Sequence, residues 1–241
     1  MKHTSAAILL SIATISAAHA QSAGQWMVNA GWLHMAPQDS SQPLTVNALG
    51  RSNTVAGSGA SVADTDTFAL TATYFVTDHV ALETILGVPP KLHLSGTGTL
   101  AGLGELGTAS AWSPAILAQY HFGEPSASFR PYIGAGVSYV WFKNVELSNK
   151  VASGEFLYSP TFGTRLEGPT SVTLSKSFAP IVNAGLNYNI DSHWSVGVSA
   201  AYVWLSTKAT LTTRSAVGAV TSTTKVKINP IITFVSVGYR F

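Results

Sequence analysis

Apolar and polar residues alternate with a period of two in several stretches of the chain. Phe68, Leu70, Ala72 and Tyr74 alternate with Ala69, Thr71 and Thr73. Trp194, Val196, Val198, Ala200 and Tyr202 alternate with Ser195, Gly197, Ser199 and Ala201. A strand sends successive side chains to opposite faces, so each stretch has an apolar face and a small or polar one. The alternation predicts strands near residues 26–36, 66–76, 79–90, 112–122, 129–142, 179–190, 193–207 and 227–241. Segments of about ten residues with this pattern are what a transmembrane β-barrel requires.

The connections alternate in length. Thr77-Asp78, Gly123-Glu124-Pro125 and Asp191-Ser192 are short and carry turn residues. Residues 37–65, 91–111, 143–178 and 208–226 are long, rich in Gly, Ser and Thr, and expected to be loops, with 94–109 mobile. Short periplasmic turns and long extracellular loops characterise outer-membrane barrels, so both termini are expected in the periplasm. Aromatic residues fall at two levels. Trp26, Tyr74, Tyr120, Phe122, Phe129, Tyr188, Trp194, Tyr239 and Phe241 lie near the turns, and Trp32, Trp112, Tyr139, Trp141, Tyr202 and Trp204 lie higher. Two such girdles mark the two membrane interfaces.

Composition narrows the class. Of 241 residues, 46% are hydrophobic and only 10% charged, against about 25% charged in soluble domains. No apolar run reaches the ~18 residues of a spanning helix. A closed all-β barrel is the membrane solution that remains. The net charge of +2 is too small to indicate nucleic acid as a partner. There is no cysteine, which excludes disulfides and thiolate chemistry. Lys2 and His3, the apolar residues 6–17 and Ala18-His19-Ala20 read as a secretory leader. The expected division is residues 1–20 as signal peptide and 21–241 as the barrel.

Parity assigns the lumen. Near the turns the inward set is Asn29, Thr73, Glu83, Gln119, His121, Arg130, Asn183, Asn187 and Arg240. Higher up it is Leu33, Met35, Ile85, Pro89, Val140, Phe142, Ile181, Val203, Leu205, Ile232 and Phe234. A polar floor, in which Glu83 would pair with Arg130 or Arg240, should therefore close an apolar cup that opens outward. Eight strands leave room for side chains but no wide water channel. Parity leaves two readings of the cup open, a packed upper core or a pocket for apolar solutes. Pro37, Pro89, Pro114, Pro180 and Pro230 all lie near the upper girdle. Proline donates nothing to a ladder, so strands could part there as a lateral exit, or simply end there.

Other chemistry is poorly supported. His193-Trp194-Ser195 lacks a nearby carboxylate arranged for hydrolysis. Asp64-Thr65-Asp66 falls short of the roughly six oxygen ligands calcium takes. His34, His79 and His93 are scattered, so neither a metal site nor a cofactor is expected.

Several stretches together resemble one family. They are Thr73-Tyr74-Phe75-Val76-Thr77-Asp78, Gly87-Val88-Pro89-Pro90-Lys91, Ser113-Pro114-Ala115-Ile116-Leu117-Ala118-Gln119-Tyr120-His121-Phe122-Gly123 and Phe129-Arg130-Pro131-Tyr132-Ile133-Gly134-Ala135-Gly136-Val137. In this order they resemble the outer membrane protein W family, which includes the alkane-uptake protein AlkL. The ending Val237-Gly238-Tyr239-Arg240-Phe241 resembles the terminal signal read by the barrel-insertion machinery. The resemblance implies a non-enzymatic, eight-stranded barrel in the bacterial outer membrane that passes small hydrophobic molecules and contacts outer-membrane lipid. It favours the pocket reading of the cup. The alternative is a structural or surface-interaction barrel, acting in stress, adhesion or phage and colicin docking.

Overall fold

The computed structural model describes residues 21–157, 166–216 and 218–241. The segment read as a leader lies outside them. In chain order the strands begin with β1 (Trp26–Ala36), followed by the short β2 (Ser40–Ser41), β3 (Leu44–Ala48), β4 (Arg51–Val55) and β5 (Ser58–Val62). Next come β6 (Thr65–Phe75), β7 (Val80–Gly87), β8 (Lys91–Gly98), β9 (Glu105–Trp112), β10 (Ala115–His121) and β11 (Phe129–Leu147). The last are β12 (Thr170–Leu174), β13 (Ser177–Asn189), β14 (Trp194–Val203), β15 (Ser206–Ser215), β16 (Gly218–Lys227) and β17 (Ile231–Arg240).

Strands β1, β6, β7, β10, β11, β13, β14 and β17 pair antiparallel in that order, and β17 returns to β1. This is the closed eight-stranded barrel that the alternation predicts. Closure is dictated by the solvent, because an unpaired backbone group in hydrocarbon costs several kcal/mol and a closed ladder has no free edge. The β1–β17 seam is complete, from Met27↔Arg240 to Ala36↔Ile231. Outside, Val28, Leu70, Leu82, Ile116, Ile133, Val182, Val196 and Val235 are exposed and form the lipid-facing wall. The two aromatic levels are real clusters. Trp26–Tyr74, Phe129–Tyr188 and Trp194–Tyr239 meet near the turns, and Trp112–Trp141 and Tyr202–Trp204 meet at the upper level.

Among the described residues, the long connections are largely strands rather than loops. Their Ser- and Thr-rich stretches form strands, since β-branched threonine suits a pleated surface even without a strong apolar face. β15 and β16 make a ten-pair hairpin from Ser206↔Lys227 to Ser215↔Gly218. It belongs to a six-stranded sheet with β12, β3, β4 and β2. On the other side β11 runs on for 19 residues, and β9, β8 and β5 continue the barrel wall beside it. The glycine-rich 94–109 stretch, expected to be mobile, contributes the β8–β9 pairing and a short 3-10 turn at Ala101–Leu103. A small core of Leu44, Val46, Leu157, Leu166 and Val220 holds this extension together.

Lumen space is won by glycine. Asn29, Asn183, Asn187 and Tyr132 lie directly across the ladder from Gly238, Gly134, Gly197 and Gly185. At each of these glycines an added Cβ would collide with the facing side chain. The notches let large inward groups lie along the wall. Gly185→Val should therefore displace the Tyr132 ring and lower stability by about 1–3 kcal/mol. Urea unfolding of the protein in lipid vesicles would measure this.

Candidate functional site: a polar floor beneath an apolar chamber

The floor has two layers. In the upper one, Glu83 accepts hydrogen bonds from Gln119 Nε2 at 2.8 Å and Thr73 Oγ1 at 3.2 Å. That fixes Gln119 Oε1 as the acceptor for His121 Nε2–H at 3.1 Å. The imidazole also stacks on Tyr132 and meets the edge of Phe75. In the lower layer, Arg130 Nη1 donates to Gln21 O at 2.6 Å and to Gln21 Oε1 at 3.1 Å, and Nη2 donates to Asp78 O. Arg240 donates to Asn189 Oδ1 at 2.6 Å and Ser192 O at 3.2 Å. Gln21 Nε2 donates to the same Asn189 oxygen at 3.0 Å, so the two arginines are tied through Gln21 and Asn189.

The expected pairing of Glu83 with Arg130 or Arg240 does not form. Both guanidiniums lie nearer the turns, where the carbonyls of Gln21, Asp78 and Ser192 accept from their terminal nitrogens, while both Nε atoms stay buried without a partner. Gln21, fully buried, was not legible because it precedes the first periodic segment. Tyr132 and Asn189 were legible, since they share inward parity with Arg130 and Asn187.

Above the floor lies a cavity of ≈130 Å³. Leu33, Met35, Ile85, Val140, Val203, Leu205, Ile232 and Phe234 line it, with Glu83 and Gln119 at its base. Phe142 does not line it and packs against the surrounding apolar cluster. His121, Arg130 and Arg240 lie beneath it, outside its lining. The chamber is not an open cup. Met35, Val62, Leu92, Leu205 and Val226 cluster at its upper side, and a second apolar cavity of ≈100 Å³ lies in the extension. The second cavity is lined by Leu94, Leu106, Leu147, Phe156, Leu211 and Val226, among others. The reason is that the supposed loops are sheets.

Four of the five upper prolines fall into different settings. Pro230 O accepts from Val203 N–H at 3.1 Å and the ladder resumes beyond it with Ile228 N–H on Leu205 O, whereas Pro180 O accepts from Trp204 N–H at 3.0 Å and the next backbone bond on that seam runs from Ser175 N–H to Lys208 O. A carbonyl still accepts where proline removes the donor. Pro89 and Pro114 flank a further interruption. The last β7–β10 pair is Ile85↔Ala115, and the next backbone bond across this seam runs from Ala111 N–H to Pro90 O. Among the described residues, 86–89 and 112–114 exchange no backbone hydrogen bond. Ile85, Pro90, Ser113 and Ala115 border this gap and also line the chamber.

The remaining candidates stay apart. Ser195 is buried and turned toward Met27 Sδ, whereas His193 Nδ1 contacts Ser192. His34 pairs with Asp66 and His93 with Glu105, at separate exposed places. No group of three metal-ligating side chains occurs among the described residues.

A lipid-facing antiparallel barrel with a packed lumen defines a bacterial outer-membrane β-barrel. The OmpW family model matches residues 22–241, and the chain belongs to that family of non-enzymatic barrels. It is 30% identical to outer membrane protein W of Vibrio cholerae over the full length of both chains. It is 26% identical to outer membrane protein AlkL of Ectopseudomonas oleovorans, over 75% of this chain and 68% of that one. The crystal structure of OprG from Pseudomonas aeruginosa superposes with a TM-score of 0.77 at 24% identity, covering 92% of this chain and 98% of the other.

Arg130→Ala should lower stability by about 1.5–3 kcal/mol, because it removes charged hydrogen bonds to buried carbonyls. Unfolding in vesicles would report it. The Asp191 carboxyl is held below the usual range by the backbone N–H groups of Trp194 and His193. A depressed folded value means that its contribution is present above the ordinary Asp range and is lost as pH falls through the folded value. The Trp194 amide shift should follow that loss on acid titration, and Asp191→Asn should abolish the response.

Proposed function

We propose that this barrel admits small hydrophobic molecules passively from outside the cell and releases them sideways into the outer membrane. The observation that carries this reading is an apolar chamber closed below by a polar floor and bordered by an interrupted ladder. The cavity in the extension receives the solute first. Its apolar surface leaves water at ~25 cal/mol per Å², which favours entry without a specific contact. The chamber volume of ≈130 Å³ is close to the ~150 Å³ apolar cavity that accepts benzene. Beneath it, the two-layered floor blocks direct passage. The exit is the β7–β10 seam at Pro89 and Pro114, where no ladder bond has to break. In this reading the turn end and both termini face the periplasm, and exposed Phe241 is the handle for the insertion machinery. The likeness to AlkL supports the same solute class.

Cells with the protein should take up a graded series of apolar compounds faster than cells without it, and a small hydrophilic sugar at the same rate. Equal uptake from a verified folded barrel would assign the protein to a structural or surface-interaction role instead. Because the chain has no cysteine, a Gly87→Cys/Ser113→Cys pair joined by a short bifunctional reagent tests the exit. Closing the seam should slow uptake several-fold, whereas an unchanged rate would place the exit elsewhere.

A further inference from the structure

The base of the chamber holds hydrogen-bonding groups that an apolar solute would leave unmatched. Glu83 is buried and lines the cavity, and its carboxylate contacts only neutral donors. The three ion pairs among the described residues all lie elsewhere, on exposed side chains. Both floor arginines are held by acceptors of the lower layer. Asn183 also lines the chamber, and its Oδ1 is buried without a partner. The walls change character one step above. Glu83 is followed on the same face of its strand by Ile85, Gln119 by Leu117, and Asn183 by Ile181.

A carboxylate without a counter-charge is costly to keep from water even where neutral donors meet it. A molecule that fills the chamber to its base removes whatever water can reach Glu83. An alkane offers nothing in return, and a carboxylate head adds like charge.

We infer that the chamber takes a single-chain amphiphile head-down, with a hydrogen-bond-donating end, an aliphatic amine or alcohol, on Glu83 and the alkyl chain along the apolar walls. This deepens the uptake reading and rests on it. The amine is the better fit, because its ammonium supplies the counter-charge that Glu83 lacks, and a charge-assisted bond is about twice as strong as a neutral one.

The test is binding of a matched eight-carbon series to the full-length barrel in lipid nanodiscs, with empty nanodiscs subtracted. The probes are octylamine, 1-octanol, n-octane and octanoate. Octylamine should bind about tenfold more tightly than octane, the size of one charged hydrogen bond. Octanol should fall between them and octanoate last. Glu83→Gln should shrink the amine-over-alcohol difference to less than about twofold, with folding checked by β-sheet circular dichroism. If that variant does not fold, Thr73→Val, which removes one neutral donor from Glu83, should widen the amine-over-alcohol difference instead, and an unchanged difference would overturn the inference. Binding of all four probes with equal affinity would overturn the head-down inference and leave hydrophobic uptake standing. Binding of none, octane included, would overturn the uptake reading and this inference with it.

Discussion

Everything in this structure depends on the backbone having no water to bond to inside the bilayer. Each N–H and C=O in the hydrocarbon must find a partner in the neighbouring strand, or the fold loses several kcal/mol per group. That requirement closes β17 onto β1 and leaves the eight strands without a free edge. It also gives meaning to a place where the ladder lapses. At β7–β10 the ladder lapses where Pro89 and Pro114 sit, and each side remains bonded to its other neighbour. Val88 N–H bonds Phe68 O, and Pro114 O accepts from Tyr139 N–H. The gap is therefore local, flanked on both sides by paired strands, and a second lapse of similar length follows Pro180 on the β13–β14 side.

The second constraint is room. Eight strands enclose a lumen that side chains nearly fill, so cavity and floor compete for the same volume. The glycine notches settle the competition. By lying against Gly134, Gly197 and Gly238, the three asparagines stay in the lumen without occupying its axis. The floor takes the turn end, where inward backbone carbonyls can hold Arg130 and Arg240. The chamber takes the upper half, where the inward residues are aliphatic.

The barrel strands were legible because period-two alternation is strong wherever one face meets lipid. Trp194 and Val196 against Ser195 and Gly197 leave no ambiguity of facing. Most of the chamber lining followed from the same parity, and Phe142 failed because β11 carries it past the cavity into the packed cluster above. The extension was not legible. Its strands meet water on one face and a small core on the other, so Ser206 to Ser215 reads as polar throughout except for Ala209 and Leu211. Pairings in the floor were also beyond parity. Facing says which residues enter the lumen, but the two arginines turn to backbone carbonyls near the turns, which carry no side-chain signal, and to Gln21 and Asn189.

One strand unites the membrane wall and the extension. β11 has 19 residues, which at ~3.3 Å per residue make about 60 Å of chain. Inclined at ~40°, it climbs roughly 45 Å, well beyond the ~25 Å apolar belt of such barrels. The wall therefore continues past that belt, and the register shift between Lys143 and Glu146 marks where it bends on the way. On the uptake reading proposed above, an apolar molecule would meet the lining of the extension before that of the barrel proper. On that reading the protein would work as a wick, drawing at one height and delivering at another.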